Sequence, residues 1–295
     1  MTFSKNGLLI VNKPINWTSN DVLRKLKSIE KFHRIGHAGT LDPLATGILP
    51  ILINKATKYF DYFLKLNKTY LAEITFGYST DTFDLEGDIV EETKLLPENI
   101  GEIRKKIKLF EGLIEQQPPI YSALKKNGKK LYEYARNNET VKIEYRQVFV
   151  ENIEIIKWKN YKLEVKINCS SGFYVRSFAN DFAKSLNSLG VLSKLSRIKY
   201  GPYNLEDSNF DINEIENLEF FLLPIDSILK NNKSYIFDKD LEERFFNGEV
   251  FSDKIISSNI LKNTELKIYN IKEEFIGLLI YDPIKSFWKP KNIIK

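Results

Sequence analysis

Asp42 has the best setting for chemistry in this chain. It stands in the run Arg34-Ile-Gly-His-Ala-Gly-Thr-Leu-Asp-Pro-Leu-Ala-Thr-Gly47, which lacks helical periodicity and carries Gly36, Gly39, Pro43 and Gly47. That is the composition of an ordered loop. The proline biases Asp42 toward extended backbone, and the glycines permit close approach of neighbouring chain. A carboxylate presented this way could serve as a nucleophile, a general base or a metal ligand, or could merely begin an Asp-Pro turn. His33 and His37 stand four apart, as in a helical zinc pair, yet Arg34 takes the place of the acidic partner and Gly36 weakens the helix. We therefore expect no metal. Walker, dinucleotide and Gly-x-Ser-x-Gly motifs are missing, which removes the usual support for nucleotide hydrolysis, hydride transfer and serine esterase chemistry.

Secondary structure must hold this loop in place. Before it, Gly7-Leu8-Leu9-Ile10-Val11 reads as a strand ended by Lys13-Pro14, and Thr18-Ser19 caps a helix reaching about Lys31 with Val22, Leu26 and Ile29 on one face. After it, Gly47 to Ile53 and Lys68 to Phe76 read as strands, and Ile100 to Phe110 as a basic amphipathic helix. Tyr161, Leu163, Val165, Ile167 and Cys169 alternate with polar residues, the mark of an antiparallel sheet wetted on one side. Cys169 then reads as a small core residue rather than a reactive thiol. A helix follows over Tyr174 to Leu189, and the mixed order of elements implies α+β rather than a βαβ repeat. Lys230-Asn231-Asn232-Lys233 is the best linker, dividing the chain into 1–231 and a small β-rich unit over 232–295, with paired strands at Leu266/Ile268 and Phe275 to Tyr281.

Composition sets outer bounds. The 295 residues are 43% hydrophobic and 28% charged, which excludes a disordered or fibrous chain. One cysteine excludes a disulfide framework and fits a reducing compartment. With no signal peptide and no membrane-length apolar run, a cytoplasmic protein is expected. The net +5 permits a polyanionic partner without requiring one.

The run Gly36-His37-Ala38-Gly39-Thr40-Leu41-Asp42-Pro43-Leu44-Ala45-Thr46-Gly47 resembles the signature of the TruB family, the tRNA pseudouridine-55 synthases. Lys13-Pro14 with Thr18-Ser19, Lys68-Thr69-Tyr70, Gln117-Pro118-Pro119-Ile120-Tyr121-Ser122-Ala123-Leu124-Lys125, and Cys169-Ser170-Ser171-Gly172-Phe173-Tyr174-Val175-Arg176 follow in the family's order. The resemblance covers about residues 7 to 203 and moves Asp42 from an ordinary turn residue to the expected catalytic group. Two departures are Asn16, where glycine is usual, and Ile198, where threonine is commoner.

What the resemblance implies is a mixed, largely antiparallel catalytic domain followed by a PUA-like RNA-binding domain. The implied reaction converts a uridine in the T arm of tRNA to pseudouridine on a flipped-out base, with no cofactor or metal. Asp42 matches the nucleophile, and three routes stay open: addition to the ring, attack on the sugar, or removal of a sugar proton. Arg176 matches the arginine that pairs with the carboxylate and keeps it ionised. Tyr70 matches a tyrosine that stacks on the base and handles the C5 proton. Tyr174 and Leu195 match uracil-pocket residues, and His37 a support for flipped-out nucleotides. Arg24, Lys25, Lys27, Lys31, Arg34, Lys125, Lys126, Lys129 and Lys130 become phosphate-contact candidates. A monomer needing no protein partner is expected, the rivals being an RNA-guided synthase subunit and a non-catalytic tRNA-folding chaperone.

Overall fold

Apolar alternation makes the strands, and a single large sheet collects them. The computed structural model describes residues 2–208, 212–213, 217–252, 255–256 and 265–295. Its main sheet uses β1 (Gly7–Lys13), β2 (Ile35–His37), β3 (Ala45–Ile53), β4 (Lys68–Phe76), β5 (Gly112–Gln116), β6 (Arg146–Lys159), β7 (Lys162–Cys169), β8 (Gly190–Tyr200) and β9 (Tyr203–Asn204). The order is β1-β3-β8-β4-β7-β6-β5, with β2 on β3 and β9 on β8. Every junction is antiparallel except β3 with β8, where Ala45, Thr46 and Gly47 run parallel to Leu195, Ser196 and Arg197. The expected α+β class, with a mixed and largely antiparallel sheet, is what the chain adopts.

Two clusters cover one face. Helices α2 (Ile100–Ile107) and α4 (Val175–Ser185), separated in sequence by the short α3 (Leu131–Arg136), press Ile103, Phe178 and Phe182 onto Ile74, Val165 and Ile167. Helix α1 (Ser19–Ile29) sets Val22 and Leu26 against Leu9, Val11, Leu49 and Ile51. Tyr70 and Leu195 pack against both clusters, so they lie at the seam between them. On the other side, Ala56, Tyr59 and Phe63 meet Ile48, Tyr200 and Tyr203. Cys169 is buried beneath this framework, and burial pushes its thiol up to about 12, so it is a core residue as its alternation predicts.

Some boundaries differ from the sequence reading. The segment from Arg34 to Gly47 is not all loop, since Ile35–His37 pairs antiparallel with Ile51–Ile53. Three residues are too few for a period to register. Helix α1 stops at Ile29 and α4 at Ser185, the latter because Asn187 takes φ 55°. The 100–110 segment is α2 only to Ile107, tightening to a 3₁₀ turn over Lys108–Phe110.

Toward the C-terminus, β10 (Ser234–Ile236), β11 (Phe251–Ser252), β12 (Glu265–Tyr269), β13 (Phe275–Asp282) and β14 (Phe287–Lys291) form a separate five-stranded sheet ordered β10-β12-β13-β14-β11. Helix α5 (Lys239–Phe246) adds Phe245 to a core with Phe237, Phe251, Leu266, Ile268 and Trp288. The curled sheet fits a PUA-like unit. It is pinned to the larger sheet: Leu278 joins the cluster around Tyr59, the Tyr59 hydroxyl donates to the Asn292 carbonyl at 2.9 Å, and Tyr269 donates to Asp226 at 2.5 Å.

Candidate active site

The turn carrying Asp42 is fastened from both sides. Thr18 caps α1 and forms a reciprocal box with Asp21. The next residue, Ser19, is buried, its hydroxyl accepting from Leu41 N–H at 2.9 Å and donating to Leu41 C=O at 3.1 Å. Beyond the turn, Pro43 C=O accepts from Asn16 N–H at 2.8 Å. Asn16 takes φ 65°, the left-handed backbone that asparagine tolerates when glycine is replaced. Lys13 closes the clamp, its ammonium donating to the carbonyls of Pro14 at 2.8 Å, Trp17 at 2.5 Å and Pro43 at 3.4 Å.

An Asp-Pro turn and an accessible carboxylate prove compatible. The Asp42 C=O accepts from Ala45 N–H at 3.0 Å, an ordinary turn with Pro43 at its second position. Its side chain is free of the turn and meets Arg176, with Oδ2 2.9 Å from Nε. Asp42 keeps 38% of its side chain open, whereas Arg176 is 6% exposed. The cation is therefore fixed and the anion is accessible to solvent.

Arg176 is itself held by four groups. Nη1 donates to Thr82 C=O at 3.1 Å, Nη2 donates to Tyr121 C=O at 2.9 Å, and Nε lies 3.5 Å from Asp84 Oδ2 as well as near Asp42. Asp84 is buried and sequence reasoning missed it. Its Oδ1 accepts from the Thr82 hydroxyl at 2.6 Å and from Glu86 N–H at 3.0 Å. The only signal was an acid-rich turn, Asp81 to Asp88, of a kind ordinarily found on surfaces. Phe83, between Thr82 and Asp84, takes φ 64°, an uncommon backbone for a bulky residue and a local strain at the site.

Electrostatics qualify the expectation for Asp42. Burial pushes its carboxyl above the usual range, Arg176 opposes that push, Asp84 adds to it, and Lys13 opposes it. Arg176 thus restrains the rise rather than producing a low value. Lys13 is fully buried and its ammonium is lowered to about 8 by desolvation, with Asp42 pulling the other way. Tyr70 is half-buried near Asp42; burial raises its phenol, and Arg197 opposes that rise.

The remaining predicted residues spread around this centre. Leu195 lies on β8 opposite both Ala45 and Ala72, and with Ile15, Leu44 and Thr46 it lines a recess of about 320 Å³. Tyr174 immediately precedes α4, its backbone held by Gln116 at 2.7 and 3.0 Å and its ring covered by the Arg146 guanidinium at 4.9 Å. His37 ends β2 with Nδ1 buried and unpartnered; burial and then Arg197 lower its pKa, favouring the neutral ring. Of the lysines, Lys125 is exposed, while Lys129 pairs with Glu139 at 2.6 Å and Lys126 with Glu144 at 3.7 Å. Arg24 pairs closely with Asp21.

Among the described residues, no helix is long and apolar enough to cross a membrane. The fold matches a chain of an H/ACA ribonucleoprotein solved with a substrate RNA containing 2′-deoxyuridine, at TM-score 0.69 and 18% identity, covering 98% of this chain and 84% of that one. Among curated proteins, tRNA pseudouridine synthase B of Staphylococcus epidermidis is 39% identical, over 98% of this chain and 99% of the relative. The Clostridium kluyveri protein of the same name is 36% identical, over 92% and 94%. Residues 26–175 match the N-terminal domain of the TruB family pseudouridylate synthases. A match of this length, with relatives this similar along nearly the whole chain, places the protein in the TruB family.

Proposed function

We propose that this chain isomerises a T-arm uridine of tRNA to pseudouridine, with Asp42 as the nucleophile acting on a flipped-out nucleotide. The observation that carries the reading is an accessible carboxylate held 2.9 Å from a buried guanidinium, at the seam where Tyr70 and Leu195 touch both cores. The names of the relatives supply the tRNA substrate. A base stacked inside a loop hides its glycosidic bond, so it must leave the stack to react.

In the reaction, the C1′–N1 bond breaks, the freed ring turns, and a C1′–C5 bond forms. C5 then loses its proton to the Tyr70 oxygen as that phenol passes its own proton on to solvent, the C5–H electron pair becomes ring double bond, and N1 takes a proton from solvent, so Tyr70 ends as the neutral phenol it began. Asp42 acts on the nucleotide and is released unchanged, as nucleophilic catalysis requires. Arg176 limits the upward push of burial on its carboxyl. Tyr174 and Leu195 wall the uracil, and His37 stacks on a neighbouring unpaired nucleotide as a neutral ring. Residues 232–295 act as a PUA-like RNA-binding domain, the basic side chains contact phosphates, and the chain works as a monomer.

The test is to incubate the purified chain with unmodified tRNA and map new pseudouridines. The wild type is expected to make one in the T loop. Asp42→Asn is expected to make none while its Kd for tRNA stays within about tenfold, or about 1.4 kcal/mol. Isomerisation by that variant would remove Asp42 as nucleophile. Activity appearing only with guide RNA and partner proteins would replace the proposal with a guided subunit, and tRNA folding without isomerisation with a chaperone.

A further inference from the structure

Arg197 has entered the site so far only through its charge on Tyr70 and His37, yet among the described residues it is the largest fully buried side chain, 1% exposed. Among the described residues no carboxylate lies within 4.0 Å of it. An uncompensated buried cation is costly, by several kcal/mol per ion, so neutral contacts and a use for its field must account for it. Nε donates to Ile48 C=O at 2.7 Å and Nη2 donates to Gly39 C=O at 2.8 Å. Gly39 lies before Asp42 and Ile48 after it, so one guanidinium holds both stems of the catalytic loop. Its carbon sits 4.8 Å from the centre of the Tyr200 ring.

Register brings Arg197 to the second reacting group. On β8 it stands opposite Gly47 of β3 and Tyr70 of β4. Gly47 takes φ 99°, and a Cβ there would fall 2.3 Å from the Arg197 carbonyl oxygen, so glycine is what lets the two strands close. Across this register the guanidinium charge acts on the Tyr70 phenol and opposes the upward push of burial on it.

We propose that Arg197 is a positioning residue for the isomerisation, fastening both stems of the Asp42 loop and aiming the Tyr70 oxygen at the C5 proton. The inference rests on the proposed function. It differs from the Asp42–Arg176 pair in acting on the later proton transfer as well as on the loop.

The experiment measures single-turnover isomerisation of tRNA carrying ordinary or 5-deuterated uridine, for wild type, Arg197→Met, Tyr70→Phe and the double variant. Arg197→Met is expected to lose at least about 100-fold in rate, the scale on which displacing a reacting group by about 1 Å acts. Its Kd for tRNA should stay within about threefold of wild type, and its deuterium effect should exceed that of wild type. The double variant should lose more than Tyr70→Phe alone but clearly less than the product of the two single losses, because only the part of the Arg197 effect that runs through Tyr70 is already gone. A rate within about threefold of wild type, or fully additive losses with an unchanged isotope effect, would reduce Arg197 to core packing. Should Arg197→Met not fold, Arg197→Lys keeps the charge but cannot span the Gly39 and Ile48 carbonyls as the planar fork does; a wild-type rate for that variant would overturn the proposal. A wild type making no pseudouridine sinks the proposed function, whereas the other negative results leave that function standing and sink only Arg197.

Discussion

Arg176→Lys isolates what the guanidinium does beyond carrying charge. The arginine holds Asp42 at 2.9 Å and Asp84 at 3.5 Å through Nε, and donates to Thr82 C=O and Tyr121 C=O at 3.1 and 2.9 Å. A lysine ammonium can stay near the carboxylates but cannot also span two carbonyls on different loops. Each bond from a charged donor is worth about 1.5–3 kcal/mol, and water returns part of what is lost, leaving a deficit of about 2–4 kcal/mol. If Asp42 must be held in place as the nucleotide reacts, that deficit lowers the rate about 30- to 1000-fold. Single-turnover tritium release from tRNA carrying 5-tritiated uridine reads the chemistry, and filter binding reads affinity. The expected pattern is a large loss of rate with little change in Kd. A rate within threefold of wild type would show that charge alone suffices and refute the positioning argument.

Lys13 predicts a pH dependence of stability. Desolvation lowers its folded-state pKa from 10.5 to about 8, so between those values the unfolded chain holds more protons than the folded one. This group's contribution to stability therefore rises with pH across that window. Urea unfolding should show the difference, wild type minus Lys13→Met, growing from pH 7.5 to pH 10; a flat or shrinking difference would mean the ammonium is not strained by burial. Lys125 is exposed and without an ion pair among the described residues, so Lys125→Ala should flatten the slope of log K against log salt for tRNA by about one phosphate contact. An unchanged slope would take Lys125 off the RNA path.

Asp42 was singled out by its neighbourhood of glycines and proline and given a role, with Arg176 as its partner, by the resemblance of their motifs to a family; the structure brings the two together. Asp84 was not singled out, since an aspartate in a turn looks the same on the surface as beneath an arginine, and only the folded sheet decides which it is. Lys13 stood in plain view beside Pro14, but a sequence cannot say that an ammonium will be swallowed by three carbonyls. The main strands followed their alternation of apolar and polar residues. Three-residue β2 did not, because pairing with Ile51–Ile53 rather than periodicity creates it. Lys230 to Lys233 has the composition of a linker, yet Tyr59 and Leu278 tie the flanking parts together, and such contacts leave no local mark.

The one parallel junction of the main sheet also bears on when the site comes into being. Ala45–Gly47 must find Leu195–Arg197 about 150 residues later, and Arg176 joins Asp42 only across a similarly long interval. Contacts of such separation form slowly, because loop-closure entropy is spent before they can repay it. A nascent chain holding only the first half of the sequence would display Asp42 without its partner arginine. Assembly of the pair is thereby tied to translation passing Arg176, and a product truncated before that point would carry the Asp42 carboxylate with no guanidinium to hold it.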